Sequence, residues 1–199
     1  DTWSQVNAGL IKDNEFVRYS GGSFYQGSDD IKEYLVFDNE KPRFVKKIKP
    51  FMISIYQITE YMYLQFVLSG GYRNTKYWCR NGYIWKEKNK IQMPLYWVRE
   101  NNGVYYKCLN GKKHRLNTNL PVINISYYEA QAYCRWKKVR LPTESEYEYV
   151  ATNGGSTMFP WGNAPPDEDK CNINYRKFLA PVNQHQPGSN MKGVCQLIG

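Results

Sequence analysis

The sequence predicts an α+β fold, rich in loops, with short strands and two or three short helices, and three observations predict it. Ser126-Tyr127-Tyr128-Glu129 and Thr143-Glu144-Ser145-Glu146 are both capping boxes. In each, the first hydroxyl can accept from the backbone three residues on while the glutamate reaches back to the first residue's N–H, so a helix starts at each. Short β-branched and aromatic runs fill residues 16 to 56, as strands do. Beyond Gly155, Pro160, Pro165, Pro166, Pro181 and Pro187 keep the chain in loops.

Taken in order, Phe16-Val17-Arg18-Tyr19, a Gly21-Gly22 turn and Ser23-Phe24-Tyr25-Gln26 read as an opening hairpin. Phe44 to Lys49 alternates imperfectly, and Pro50 separates it from the buried-strand pattern Phe51-Met52-Ile53-Ser54-Ile55-Tyr56. Thr59 caps a helix with Met62, Tyr63, Phe66 and Val67 at helical spacing, which Gly70-Gly71 ends. Residues 72 to 119 hold Trp78, Trp85, Trp97 and six tyrosines without helical periodicity, so an irregular or short-stranded insertion is expected. The helix from Ser126 should run to about Lys138 and pack through Tyr127, Ala130, Tyr133 and Cys134. The helix from Thr143 places Tyr147, Val150 and Ala151 on one face and stops at Asn153-Gly154-Gly155. Phe159, Trp161, Tyr175 and Phe178 recur through the tail and imply order there.

A chain of 199 residues with 42% hydrophobic residues can build one core of ordinary size. With 18 Tyr and 6 Trp, that core needs polar partners for many hydroxyls and indoles. No stretch approaches the roughly 20 apolar residues of a membrane span, so a soluble protein without a membrane partner is expected. The chain opens on Asp1 without a basic and apolar leader, the look of a fragment or processed product. Five cysteines, an odd number without a C-x-x-C pair, suggest neither a disulfide framework nor a zinc site. A reducing compartment is the simpler assignment, with the cytoplasm first and an organelle lumen second. The net charge of +9 comes from lysines and arginines at 41–49, 86–90 and 112–115, interleaved with Phe44, Trp85 and Tyr106. Such a pattern can bind single-stranded nucleic acid, but cations scattered over three segments fit a solvated surface better, so nucleic acid is disfavoured as a partner.

The series Pro121 to Ala130, Ala132-Tyr133-Cys134-Arg135-Trp136, Arg140-Leu141-Pro142-Thr143-Glu144, Glu146-Tyr147-Glu148 and Pro160-Trp161-Gly162-Asn163 resembles the signature of the formylglycine-generating-enzyme, or sulfatase-modifying factor, superfamily. Gly21-Gly22-Ser23-Phe24, Gln57-Ile58-Thr59 and Cys171-Asn172-Ile173 support it. The resemblance implies a C-type-lectin-like fold and a single domain over residues 1–199, incomplete at its C-terminus. Phe37 to Pro42, Gly70-Gly71-Tyr72, Gly82-Tyr83 and Pro94-Leu95-Tyr96-Trp97 are similar to one branch, the ergothioneine-type sulfoxide synthases. That branch implies an Fe(II) enzyme joining a histidine-derived imidazole, hercynine, to the thiol of cysteine or γ-glutamylcysteine with O2.

In that branch three imidazoles hold the iron, mainly from an N-terminal four-helix domain. This chain has two histidines, His114 and His185, so Fe(II) is expected in the parent enzyme and not on this chain, which alone should be inactive. The implied partners are that four-helix domain or another protein chain, with the thiol and imidazole as small-molecule substrates. No catalytic or cofactor-binding residue is assigned here. Asn172 and the Ile173 carbonyl match, by resemblance, a calcium site, and oxygen ligands suit that ion. Its expected acidic partners are missing from 174 to 183. His114, in the cationic run Lys112-Lys113-His114-Arg115, reads as a surface residue, while His185 could face substrate or solvent. Arg140 and Glu144 flank a helix start and read as structural, and Cys171 and Cys195 read as packing cysteines. The competing function is a non-catalytic binding or structural subunit of a larger assembly, with residues 72–115 as its contact surface.

Overall fold

The first two strand-like runs of the chain form strands, but they pair with later runs and not with each other as a hairpin. In the computed structural model, which describes residues 11, 13–29, 36–173 and 179–198, the elements follow the order β1 (Phe16–Tyr19), β2 (Gly22–Gln26), β3 (Phe44–Ile48), β4 (Phe51–Ser54), α1 (Glu60–Leu68), α2 (Arg80–Lys88), β5 (Trp97–Arg99), β6 (Tyr105–Leu109), β7 (Lys112–Arg115), α3 (Tyr127–Lys137) and α4 (Glu144–Ala151). Strand β1 pairs antiparallel with β4, and β2 with β3. The register carries straight across, since Tyr19 faces Phe51 and Gly22 faces Ile48. The two pairs are therefore one ribbon whose ladder lapses opposite Pro50, which has no N–H to give. Gly21-Gly22 bends this ribbon instead of reversing it. A Cβ on Gly21 would lie 2.2 Å from the Ile48 carbonyl oxygen, and Gly21 holds φ +73°, so glycine is needed for the close approach.

The chain forms two compact units. One takes residues 15–29, 36–56, 142–173 and 183–198, and its core gathers Tyr19, Phe24, Ile48 and Phe51 of the ribbon with Val150 of α4, Val194 and Leu197. Tyr19 stacks on Phe51 at 5.3 Å, and Tyr149 meets Phe24 edge-on at 5.2 Å. Asn190 is buried in this core. Its amide donates to the Tyr19 hydroxyl and the Val150 carbonyl, while its oxygen accepts from the Val194 N–H. The buried polar groups of that corner are thereby satisfied.

The other unit takes residues 11, 13–14, 57–141 and 179–182. Its core is aromatic, with Met62, Tyr63 and Phe66 of α1 against Tyr72, Trp78, Trp97, Ala132 and Tyr133. One polar handle of this core is satisfied where the Trp78 indole donates to the Gly71 carbonyl at 3.0 Å. Residues 72–119 are more regular than the sequence suggests. They contain α2 and the antiparallel meander β5-β6-β7, which brings the described helices to four where two or three are expected. Helix α2 escapes notice because its cap is a thiol, Cys79 Sγ accepting from the Gly82 N–H at 3.3 Å. Under the meander lies a buried ion pair, Lys107 Nζ to Glu60 Oε1 at 2.5 Å, and Glu60 Oε2 accepts from the Asn117 N–H. Burial raises the Glu60 carboxyl pKa while Lys107 opposes the rise.

No described helix is long and apolar enough to cross a membrane.

Candidate functional site

Helix α3 begins as the capping box predicts, with Ser126 Oγ accepting from the Glu129 N–H and Glu129 Oε2 accepting from the Ser126 N–H at 2.7 Å. Glu129 does more than cap. Its other oxygen accepts a 2.6 Å hydrogen bond from the Tyr72 hydroxyl, which lies 3.2 Å from the Tyr63 hydroxyl. Tyr63 in turn stacks on Tyr133 at 5.3 Å. Tyr63 is fully buried and Glu129 is 3% exposed, so the cluster is dry. Burial pushes the hydroxyls of Tyr63, Tyr72 and Tyr133 well above the usual tyrosine range, with the nearby Glu129 charge adding to the rise at the first two. These hydroxyls hold their protons and do not serve as bases.

The packed face of α3 matches the expected one at Tyr133 and Cys134 and departs from it elsewhere. It buries Glu129, Ala132, Tyr133 and Cys134, whereas Tyr127, at the first helical position, is 66% exposed. Residues 129, 132 and 133 stand three and four apart on one face, the available sign that the capping glutamate points inward. On its open side Tyr72 borders a cavity of about 640 Å³ shared with α2 and the β5–β6 strands.

His114 lies in β7, opposite Lys107 and half-buried, not in a surface loop. Arg140 is exposed and donates to the Leu141 carbonyl, and Glu144 opens α4, whose buried members are Glu146 and Val150.

In the unit built on the ribbon, His185 faces the protein interior, 8% exposed, so neither a solvent-facing nor an open position describes it. It sits at φ +56° with Nδ1 3.3 Å from the Asp169 carbonyl oxygen. Among the described residues its Nε2 finds no hydrogen-bond partner. A Cβ on Gly188 would lie 1.7 Å from the Lys170 oxygen, so this turn presses directly on residues 167–171. Asn172 and Ile173 follow, both half-buried, with the Ile173 N–H donating to the Cys171 carbonyl. Tyr175 and Phe178 fall outside the described residues. Cys171 is fully enclosed, and burial pushes its thiol pKa up, as it does for Cys134. Cys195 Sγ lies 3.2 Å from the Ser189 hydroxyl. All five cysteines are free thiols. Among the described residues no three His, Cys, Asp or Glu side chains form a group that could hold a metal ion.

Comparison with known proteins places these features in context. A hercynine oxygenase of Mycolicibacterium smegmatis is 29% identical over 188 residues, 92% of this chain and 43% of that protein. An inactive C-alpha-formylglycine-generating enzyme 2 of Mus musculus is 28% identical over 218 residues, 98% of this chain and 69% of its own length. A formylglycine-generating enzyme of Thermomonospora curvata is 29% identical over 209 residues, 92% of this chain and 68% of its own length. The chain thus spans less than half the length of the hercynine oxygenase it matches. Residues 6–199 match the sulfatase-modifying factor enzyme 1-like domain, and the chain belongs to that family.

Proposed function

We propose that this chain is the formylglycine-generating-enzyme-like part of an iron-dependent sulfoxide synthase, which joins hercynine or a related imidazole to the thiol of cysteine or γ-glutamylcysteine with O2. The observation that carries the reading is the 29% identity to a hercynine oxygenase over 92% of this chain. Bound Fe(II) would supply the site at which O2 and the thiolate meet. The described residues do not fit that ion, since they offer no ligand group and the chain has two histidines in all. What the chain contributes is a rigid frame: the Tyr63–Tyr72–Glu129 network fixes the start of α3, and Asn190 fixes the approach to the C-terminal residues described. The four-helix iron-binding domain, or another protein chain, would provide the ligands, and these residues alone would be inactive.

The same reading keeps Asn172 and the Ile173 carbonyl as a calcium site. Two oxygens fall short of the roughly six to eight that calcium takes, so the remaining donors would have to come from outside this pair. A rise in thermal stability on adding calcium, absent in Asn172→Ala, would support it.

A second reading, a non-catalytic binding or structural subunit, draws on the similarity to the inactive mouse relative over 98% of this chain. One experiment separates the two. The protein isolated from its source is weighed intact, analysed for iron and incubated with hercynine, each thiol and O2. A mass well above that of these 199 residues, near-stoichiometric iron and a sulfoxide product establish the synthase. A mass equal to these residues, without iron and without product, leaves the binding module.

A further inference from the structure

The cavity beside Tyr72 collects positive charge from three separate stretches of chain. Arg73 comes from the loop after α1, Lys86 from α2, Lys90 from just beyond α2 and Arg99 from β5. Glu87 is the carboxylate among its lining residues, and Lys86 Nζ already pairs with it. Lys86 is 8% exposed and held between rings, its Nζ 5.2 Å from the Tyr83 centroid and 5.8 Å from that of Trp78. Arg73, Lys90 and Arg99 have no ion pair among the described residues, so three like charges border one concavity uncompensated.

The helix dipole explains part of this. Lys86, Lys88 and Lys90 lie at the C-terminal end of α2, where cations are favoured. It does not explain Arg73 and Arg99, which belong to a loop and a strand. The side chains of Arg73, Lys90 and Arg99 are exposed, so water screens much of their mutual repulsion, and an anion seated among them would offset what remains. The walls are not uniformly polar, since Tyr83, Tyr105, Ile91 and Met93 also line the space, and the Arg99 guanidinium lies 5.8 Å from the Tyr105 ring centroid. A volume of about 640 Å³ suits a small metabolite.

We propose that this cavity binds a small organic anion bearing at least two negative charges, its oxyanions held by Arg73, Lys90 and Arg99 and its carbon frame laid against Tyr83 and Tyr105. Guanidinium groups grip carboxylate and phosphate by the same paired donors, so the ligand is defined by that shared chemistry. The inference stands apart from the sulfoxide-synthase reading, because it uses only this cavity.

The test is calorimetric titration of the full-length protein with pyrophosphate and, separately, with citrate at near-physiological salt. At least one probe binds with one molecule per chain, and Arg99→Gln and Lys90→Gln each weaken it about tenfold or more. Lys112→Gln, which removes a lysine outside the cavity, leaves it unchanged. Preference for pyrophosphate assigns a phosphorylated ligand, and preference for citrate a polycarboxylate. Unchanged thermal unfolding of the variants shows that they fold, and if one does not, the other carries the test. Failure of both probes to bind the wild type overturns the proposal. So does binding that survives both cavity variants, or that Lys112→Gln weakens equally.

Discussion

Glu129 serves two parts of the molecule at once, and its replacement separates them. One oxygen caps α3 and the other accepts from Tyr72 inside a dry cluster. Tyr72→Phe removes the donor and leaves a buried carboxylate oxygen unsatisfied, so a loss of about 1–3 kcal/mol in unfolding free energy is expected, read from denaturant titrations. Glu129→Ala removes the cap as well and should cost more than Tyr72→Phe. The same cluster sets an alkaline limit. Tyr63, Tyr72 and Tyr133 hold their protons more tightly in the folded chain, chiefly through burial. Above about pH 10 the unfolded chain sheds protons that the folded chain keeps, so stability is full below that pH and falls as pH rises further. Spectroscopic titration should show a subset of tyrosinates appearing only together with unfolding. Tyrosines that all ionise near pH 10 while the fold persists would mean that the cluster is open to water.

At the scale of elements, helix ends decide what can be foreseen. Thr59, Ser126 and Thr143 cap α1, α3 and α4 with hydroxyl oxygens, the residue types that mark a helix start, and these three helices are legible in the sequence. Helix α2 is not, because a cysteine caps it and residues 80–88 mix Arg, Asn, Gly and Lys with aromatics. Cys79→Ser should keep the cap, while Cys79→Ala should lower stability by about 0.5–2 kcal/mol in thermal or denaturant unfolding. Gly71 shows a different dependence. A Cβ there would lie 2.1 Å from the Phe66 ring, so Gly71→Ala must displace a core aromatic and should cost about 1–3 kcal/mol by the same measurement. The ribbon was readable as strands but not as pairings, since strand propensity is local while the Gly22–Ile48 register joins distant residues. For the same reason Glu129 was visible as a cap but its contact with Tyr72, 57 residues away, was not.

At the scale of the whole molecule, the synthase reading requires iron ligands from outside this chain. Iron held by three imidazoles needs one more histidine than the two present. Those two lie in different units: His114 faces Lys107 across the β6–β7 ladder, and His185 is buried beside the Asp169 carbonyl. The cationic neighbours of His114 oppose a divalent cation through their charge. Among the described residues the coordinate bonds that favour histidine sites elsewhere have no cluster to form on. Anaerobic equilibrium dialysis of the 199-residue chain against Fe(II) should show binding far below one ion per chain, unchanged when His114 and His185 are both replaced by alanine. If the synthase reading holds, the full-length protein under the same conditions should take up about one ion and lose it on mutation of histidines outside these residues. Stoichiometric Fe(II) on the 199-residue chain, abolished by His185→Ala, would instead place the metal centre within this fold and require ligands other than imidazole.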